Sequence, residues 1–180
     1  MTKYILLYSG GVDSVLCLWK LVKNGIIPHI LHFRTQKLSD EHEKMIKKTA
    51  KSISPNSPYH IIETKTVDYQ AVGAEEPYAY EVLIDDNDDF SKSVFPAMLG
   101  DIIVIGYHKG DECPTQIVFI NYCEKHKTPY VFPLANLTRK QIYDAFMQLP
   151  EKIRKNTVST TRCYDGLVFV KSLEKKSIGT

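Results

Sequence analysis

The chain has 180 residues, of which 43% are hydrophobic and 24% charged, with a formal net charge of +2. That length suits one domain with a sizeable core, and the composition is that of an ordinary soluble globular protein. The near-neutral balance gives no general argument for a nucleic-acid binder, and no apolar run approaches the length of a membrane span.

The chain opens with "KYILLYSGGVDSVLCLWKLV", residues 3–22. Tyr4 to Tyr8 form a short, bulky, continuous apolar run, which predicts a strand buried on both faces. After Ser9-Gly10-Gly11 the period changes. Val15, Leu18, Trp19 and Val22 recur at three- and four-residue steps, one face of a helix. A strand that turns into a helix through two glycines leaves the first N–H groups of that helix without partners, facing the turn, and such a turn suits an anion.

Further along, "PHILHF" (28–33) predicts a second strand and "DEHEKMIKKTAKSI" (40–53) a helix. Asp40 is the expected N-cap of that helix, with Glu43 three residues on as in a capping box. "PYHIIE" (58–63), "DIIVIG" (101–106) and "TPYVFPL" (128–134) predict three more strands, and helices fit at 91–99, 115–127 and 138–148. Thr138 opens the last helix, with Gln141 three residues later as a second capping box. The stretch 64–90 is the least regular and ends in the acidic "DDNDDF", best taken as a solvated loop. Strands alternating with helices define an α/β class: a mainly parallel five-stranded sheet with helices on both faces. In such a sheet ligands bind at the carboxyl ends of strands, where strand order reverses. The Ser-Gly-Gly turn, the end of the second strand and Gly106 would therefore converge. The whole chain is expected to be a single domain, with a C-terminal extension from about residue 150.

Cys17, Cys113, Cys123 and Cys163 are scattered, with no C-x-x-C pair, which suggests neither a zinc knuckle nor a disulfide framework. Cys17 falls inside the first helix and is read as packing. The chain begins with a strand and no charged leader, so a cytoplasmic location is expected.

S-G-G-V-D-S is not a Walker A loop, since it has no lysine and no G-K-[ST] ending, and it is not G-x-G-x-x-G. It resembles the SGGxDS signature of the PP-loop ATP pyrophosphatases. That resemblance implies an adenine nucleotide alpha hydrolase-like, Rossmann-like fold whose loop grips the phosphates leaving as pyrophosphate while AMP passes to the substrate. It makes Ser9, Gly10, Gly11, Val12, Asp13 and Ser14 the expected ATP-binding residues. Asp13 is also the candidate for magnesium, which with ATP is the expected cofactor.

Within that superfamily the remaining motifs resemble 7-cyano-7-deazaguanine synthase. Gln36 in "FRTQKLSDEHEKMIKKTAKSI", "GYHKGD" from Gly106 to Asp111, "ECPTQI" (112–117), "PLANLTRKQI" (133–142) and "RCYDG" (162–166) follow the family's order across most of the chain. The resemblance implies adenylation of a 7-deazaguanine carboxylate, amidation by ammonia, and a second activation to the nitrile. Asp13, Asp111 and Arg139 become the candidate catalytic residues. His32, Phe33, Gly106 and Lys109 join the ATP site, with Lys109 and Arg139 as further phosphate contacts and His32 and Phe33 flanking the adenine. Gln36, Tyr107, His108 and Glu112 are candidate substrate contacts; His108 is a candidate proton carrier, and Tyr107 and Tyr164 are candidates to stack on the base. The family completes a zinc site with three cysteines after Ser-Cys-Tyr-x-Gly. "LVFVKSLEKKSIGT" supplies none, so zinc is not expected. The family's Pro-x-Arg-Asn is also replaced, by "DDNDDFSKSVFPAM". Two alternatives stand beside this reading. One is a PP-loop enzyme with another acceptor such as a tRNA base; against it, "EKMIKKTAK" and "EKIRKN" read more simply as solvated helix faces. The other is a nucleotide-binding module without chemistry. The expected partners are a small molecule and ammonia, with no membrane and no nucleic acid, and a homodimer is compatible with the aromatic content.

Overall fold

The computed structural model describes residues 2–35, 39–64, 102–108, 120, 123–125 and 127–157. Five parallel strands form one sheet: β1 (Tyr4–Leu7), β2 (His29–Thr35), β3 (Tyr59–Thr64), β4 (Ile102–Val104) and β5 (Tyr130–Val131), in the order β3-β2-β1-β4-β5. Among the described residues, four helices with defined ends accompany them: α1 (Val12–Lys23), α2 (Asp40–Ile53), α3 (Arg139–Met147) and α4 (Glu151–Asn156).

β1 is central, and its sequence shows why. Ile5 and Leu6 point to opposite faces, and both are buried. Leu6, Ile30 and Val104, paired across three strands, join the core against the helices, while Ile5, Leu31 and Ile103 are buried on the other face. Val15 and Leu18 enter the same core fully buried, and Trp19 and Val22 pack at its margin, as the helical spacing predicts. Cys17 is buried there too, in agreement with a packing role.

α2 contacts α1 and α4, and α1 contacts α3, so the described helices form one connected layer. The stretches expected to supply further helices, 91–99 and 115–127, lie outside the described residues, except that 120 and 123–125 are helical and Lys127, at φ 53, lies in a turn. The start of the expected C-terminal extension folds into the body: Ile153 of α4 is buried in the core, and Thr49 Oγ1 of α2 donates to the Asn156 carbonyl at 2.7 Å. The rest of that stretch, 158–180, lies outside the described residues.

Two local expectations change. The N-cap of α2 is Ser39, not Asp40: the Ser39 hydroxyl accepts from the His42 N–H at 3.3 Å, and Asp40 becomes the first helical residue. The reason is Glu43, whose carboxylate turns into the interior instead of back to the helix start. β4 and β5 are also shorter than their apolar runs. Beyond them the chains stay adjacent, through the Ile105 N–H to Val131 carbonyl bond at 3.1 Å and a parallel bridge between His108 and Leu134. The Thr138 capping box is present in full, with Thr138 accepting from the Gln141 N–H and the Gln141 side chain accepting from Thr138 N–H.

Candidate functional site

The chain leaves β1 for β2 and β3 on one side, then crosses to β4 on the other. The reversal lies between β1 and β4, and the loops that follow these two strands meet there. A Cβ built on Gly106, just after β4, would lie 3.4 Å from Asp13 Cβ and 3.5 Å from Ser14 N. The convergence of Gly106 with the Ser-Gly-Gly turn is therefore a feature of the structure, at the place where open α/β sheets bind ligands.

The turn itself is braced from within. Tyr8 extends the ladder by one bond, its N–H donating to the Leu31 carbonyl at 2.9 Å. Gly10 then takes φ +80, a conformation L side chains avoid, and sits so close to α2 that an added Cβ would be 2.6 Å from Ile46 Cγ1. Ser14 is buried; its hydroxyl donates to the Gly11 carbonyl at 3.0 Å and accepts from the Gly10 N–H at 3.1 Å. Ser9 is exposed, 3.2 Å from the Ser14 hydroxyl, and accepts from the Gly11 N–H at 3.3 Å. Of the two expected hydroxyl donors, Ser14 thus holds the loop's shape, and Ser9 stands at its surface. Gly11 is the N-cap of α1 and offers no side chain to the helix start. A helix has no acceptor of its own for its first-turn N–H groups, so this end presents donors and a positive dipole to an anion.

Asp13 lies half-buried in that first turn. Among the described residues no group of three or more His, Cys, Asp or Glu side chains is placed to hold a metal ion. One carboxylate beside an oxyanion cradle fits magnesium, which keeps water and phosphate oxygens as ligands and needs few from the protein.

The other expected residues divide. Tyr107 follows Gly106 and packs its ring on Phe132, centroids 5.3 Å apart. His108 is buried at the bridge to Leu134. Arg139 is exposed as the first residue of α3. His32 corrects its expectation. It is 2% exposed, with Nδ1 2.7 Å from the Tyr8 carbonyl and Nε2 2.8 Å from Glu43 Oε2, so it serves the interior and does not flank a base. Phe33 lies on β2; its side chain, and Gln36, Lys109, Asp111, Glu112 and Tyr164, lie outside the described residues. Cys113 and Cys163 lie outside them too. Burial pushes the Cys123 thiol up to about 11, which leaves little thiolate at neutral pH for sulfur transfer. Sequence reading missed two roles on α2: Ile46 reaches the turn at Gly10, and Glu43 meets His32 beneath it.

Fold and site together define an α/β protein with its glycine turn at the switch point of a five-stranded parallel sheet. The family model of Thiamine biosynthesis protein (ThiI) matches residues 1–78, which carry the turn, β1 to β3 and both long helices. None of the curated proteins matches the sequence. Among solved structures, the chain is similar to a 4-thiouridine synthetase in complex with RNA and bound ATP, with a TM-score of 0.55 and 18% identity over 98% of this chain and 50% of that one. It is similar to a predicted subunit of tRNA methyltransferase from Methanocaldococcus jannaschii, with a TM-score of 0.52 and 19% identity over 82% of this chain and 75% of that one. It is also similar to NMN synthetase from Francisella tularensis, with a TM-score of 0.51 and 12% identity over 91% of this chain and 68% of that one. At such identities the likeness is one of fold. The chain spans half the length of the 4-thiouridine synthetase. Among the described residues, no helix is long and apolar enough to cross a membrane.

Proposed function

We propose that the protein is an ATP-dependent adenylating enzyme of the PP-loop type, acting on a 7-deazaguanine carboxylate with ammonia as the second substrate. The observation that carries the ATP reading is the braced Gly10–Ser14 turn at the β1–β4 switch point, with Asp13 in the first turn of α1 against Gly106. The choice of acceptor rests on the order of sequence motifs from Gly106 to Gly166.

The chemistry follows from the leaving groups. A carboxylate oxygen attacks the α-phosphorus of ATP, and the bond to the β-phosphate oxygen breaks. Donors at the turn hold the departing pyrophosphate and stabilise the charge that develops on it. Asp13 would hold magnesium, whose chemistry there would be to neutralise charge on the phosphates. Ammonia then attacks the acyl carbon, AMP leaves, and the amide forms. The amide oxygen then attacks the α-phosphorus of a second ATP, pyrophosphate leaves, and loss of AMP and both amide protons gives the nitrile. Arg139, exposed at the start of α3, is the proposed further phosphate contact.

A second reading has an observation of its own. α4 packs on α2, so exposed Lys152 and Lys155 share a layer with exposed Lys44 and Lys48, although Lys155 is paired with Glu151. Basic helices side by side favour an acceptor carried on RNA.

The test is mass spectrometry of products from ATP, magnesium, ammonia and 7-carboxy-7-deazaguanine, beside D13A. Amide or nitrile with AMP, lost at least a hundredfold in D13A, is the expected result. AMP and pyrophosphate formed only with RNA would replace the acceptor. ATP binding without turnover on either would leave a nucleotide-binding module.

A further inference from the structure

Beneath the turn lies a buried polar relay that no step above uses. His32 on β2 has two ring nitrogens and two partners. Nδ1 is 2.7 Å from the carbonyl oxygen of Tyr8, the residue before the glycine turn. A carbonyl only accepts, so Nδ1 carries a proton and donates it. Nε2 is 2.8 Å from Oε2 of Glu43 on α2, within ion-pair distance but not aligned as a hydrogen bond, and Glu43 is 7% exposed. The buried carboxylate therefore meets the imidazole edge to edge, on the side of the ring away from the Tyr8 carbonyl. Tyr59 of β3 closes the side, its ring 6.2 Å from His32 and its hydroxyl held protonated by burial and by the Glu43 carboxylate.

Cohesion alone does not account for this choice of residues. Buried charged groups cost desolvation, and an apolar trio of similar volume would join β2 to α2 as well or better. What an apolar trio cannot do is fix the Tyr8 carbonyl. In a trans peptide the C=O and the following N–H point in opposite directions, so holding the Tyr8 oxygen toward His32 sets the plane from which Ser9 and Gly10 depart. α2 then reaches the turn twice, one helical turn apart: Glu43 through His32 at Tyr8, and Ile46 directly at Gly10.

We propose that Glu43 and His32 are positioning residues for the phosphate turn, fixing the Tyr8–Ser9 peptide from α2. The proposal rests on the nucleotide-binding reading for its functional consequence, though not for its structural one. The test compares wild type with E43Q, E43L and H32L by ATP affinity, thermal midpoint and hydrogen exchange of the amides from Tyr8 to Ser14. Gln at position 43 keeps the shape of Glu43 and a polar group able to donate toward Nε2, so E43Q should bind ATP within about threefold of wild type. The two leucine variants should bind at least tenfold more weakly and exchange the turn amides faster, with a midpoint that does not fall in proportion and that rises if desolvation dominates. Should a leucine variant fail to fold, H32N against H32Q decides. The Asn amide donor stands where Nδ1 stands and the Gln donor where Nε2 stands, so H32N should keep slow turn exchange and H32Q should not.

Leucine variants with wild-type affinity and wild-type turn exchange, or losses that track the midpoint alone, would overturn the proposal. The exchange readout needs no nucleotide. If the wild-type protein binds no ATP, the functional reading fails, while slower turn exchange in wild type than in H32L would still uphold the positioning pair.

Discussion

At the scale of the residue, Gly10 shows how a motif letter becomes a physical demand. Two separate constraints exclude a side chain there: φ of +80, and the Ile46 side chain 2.6 Å from where a Cβ would stand. The first costs a non-glycine residue about 1–2 kcal/mol. The second forces either Ile46 or the turn to move. G10A should therefore lower stability by more than the backbone cost alone and should also weaken ATP binding. Adding I46A to G10A removes both γ carbons that clash and leaves only Cβ, at 3.1 Å. It should recover affinity more than stability, because φ is unchanged and Ile→Ala adds about 2–5 kcal/mol of its own. Thermal denaturation and equilibrium ATP binding on the single and double variants check this; equal recovery in both would show that backbone strain is not a factor. The glycine was legible in the sequence, because strand, turn and helix are contiguous. Ile46 was not, because nothing in a helical stripe states which residue of another element it will touch.

At the scale of the element, helices were easier to place than their ends, and strands easier than their lengths. α2 occupies 40–53 as its periodicity requires, yet its N-cap moved by one residue. Ser39 and Asp40 are both good caps on local grounds; a tertiary partner decided between them, because His32 draws the Glu43 side chain inward. At α3 both halves of the capping box form within the helix start itself, and the local signal stood. Removing it gives a clean measurement. T138A deletes the hydroxyl that accepts from the Gln141 N–H at 3.3 Å, and should cost about 1 kcal/mol. The urea midpoint should fall with the slope unchanged, since no surface is newly exposed in either state. A shift below a few tenths of a kcal/mol would mean that α3 is held by Ile142 and Phe146 in the core without help from its cap. β4 and β5 were over-read for a related reason: apolar runs report burial, and Ile105 and Leu134 are buried without lying in a regular strand.

At the scale of the whole molecule, strand order was not written locally at all. Alternation of strands and helices gave a parallel sheet. That β1 lies between β2 and β4, which brings Gly106 to Asp13, is a property of the assembled fold. Assembly also confers the chain's response to alkali. Tyr8 and Cys17 are both enclosed by the packing of β1, α1 and the helix layer, and burial raises each above its ordinary ionisation range, aided at Cys17 by Asp13 and at Tyr8 by Tyr59. The unfolded chain ionises thiols near pH 8.5 and phenols near pH 10. From about pH 9 upward the unfolded state therefore binds fewer protons than the native one, and stability falls as pH rises, approaching about 1.4 kcal/mol per pH unit for each group ionised only when unfolded. Below about pH 8 these groups contribute no slope. Urea midpoints from pH 7 to 11 should be level at first and then decline. Y8F should flatten the decline above pH 10 while costing little at pH 7, since the Tyr8 hydroxyl makes no hydrogen bond among the described residues. C17A should reduce the earlier part of the decline, from pH 9, leaving the share of Cys123, whose thiol burial also raises, at the ordinary cost of a smaller core side chain. A midpoint unchanged to pH 11, or a decline that Y8F leaves as steep, would mean that the native core admits ionised Tyr8, and the enclosure of β1 described here would be wrong.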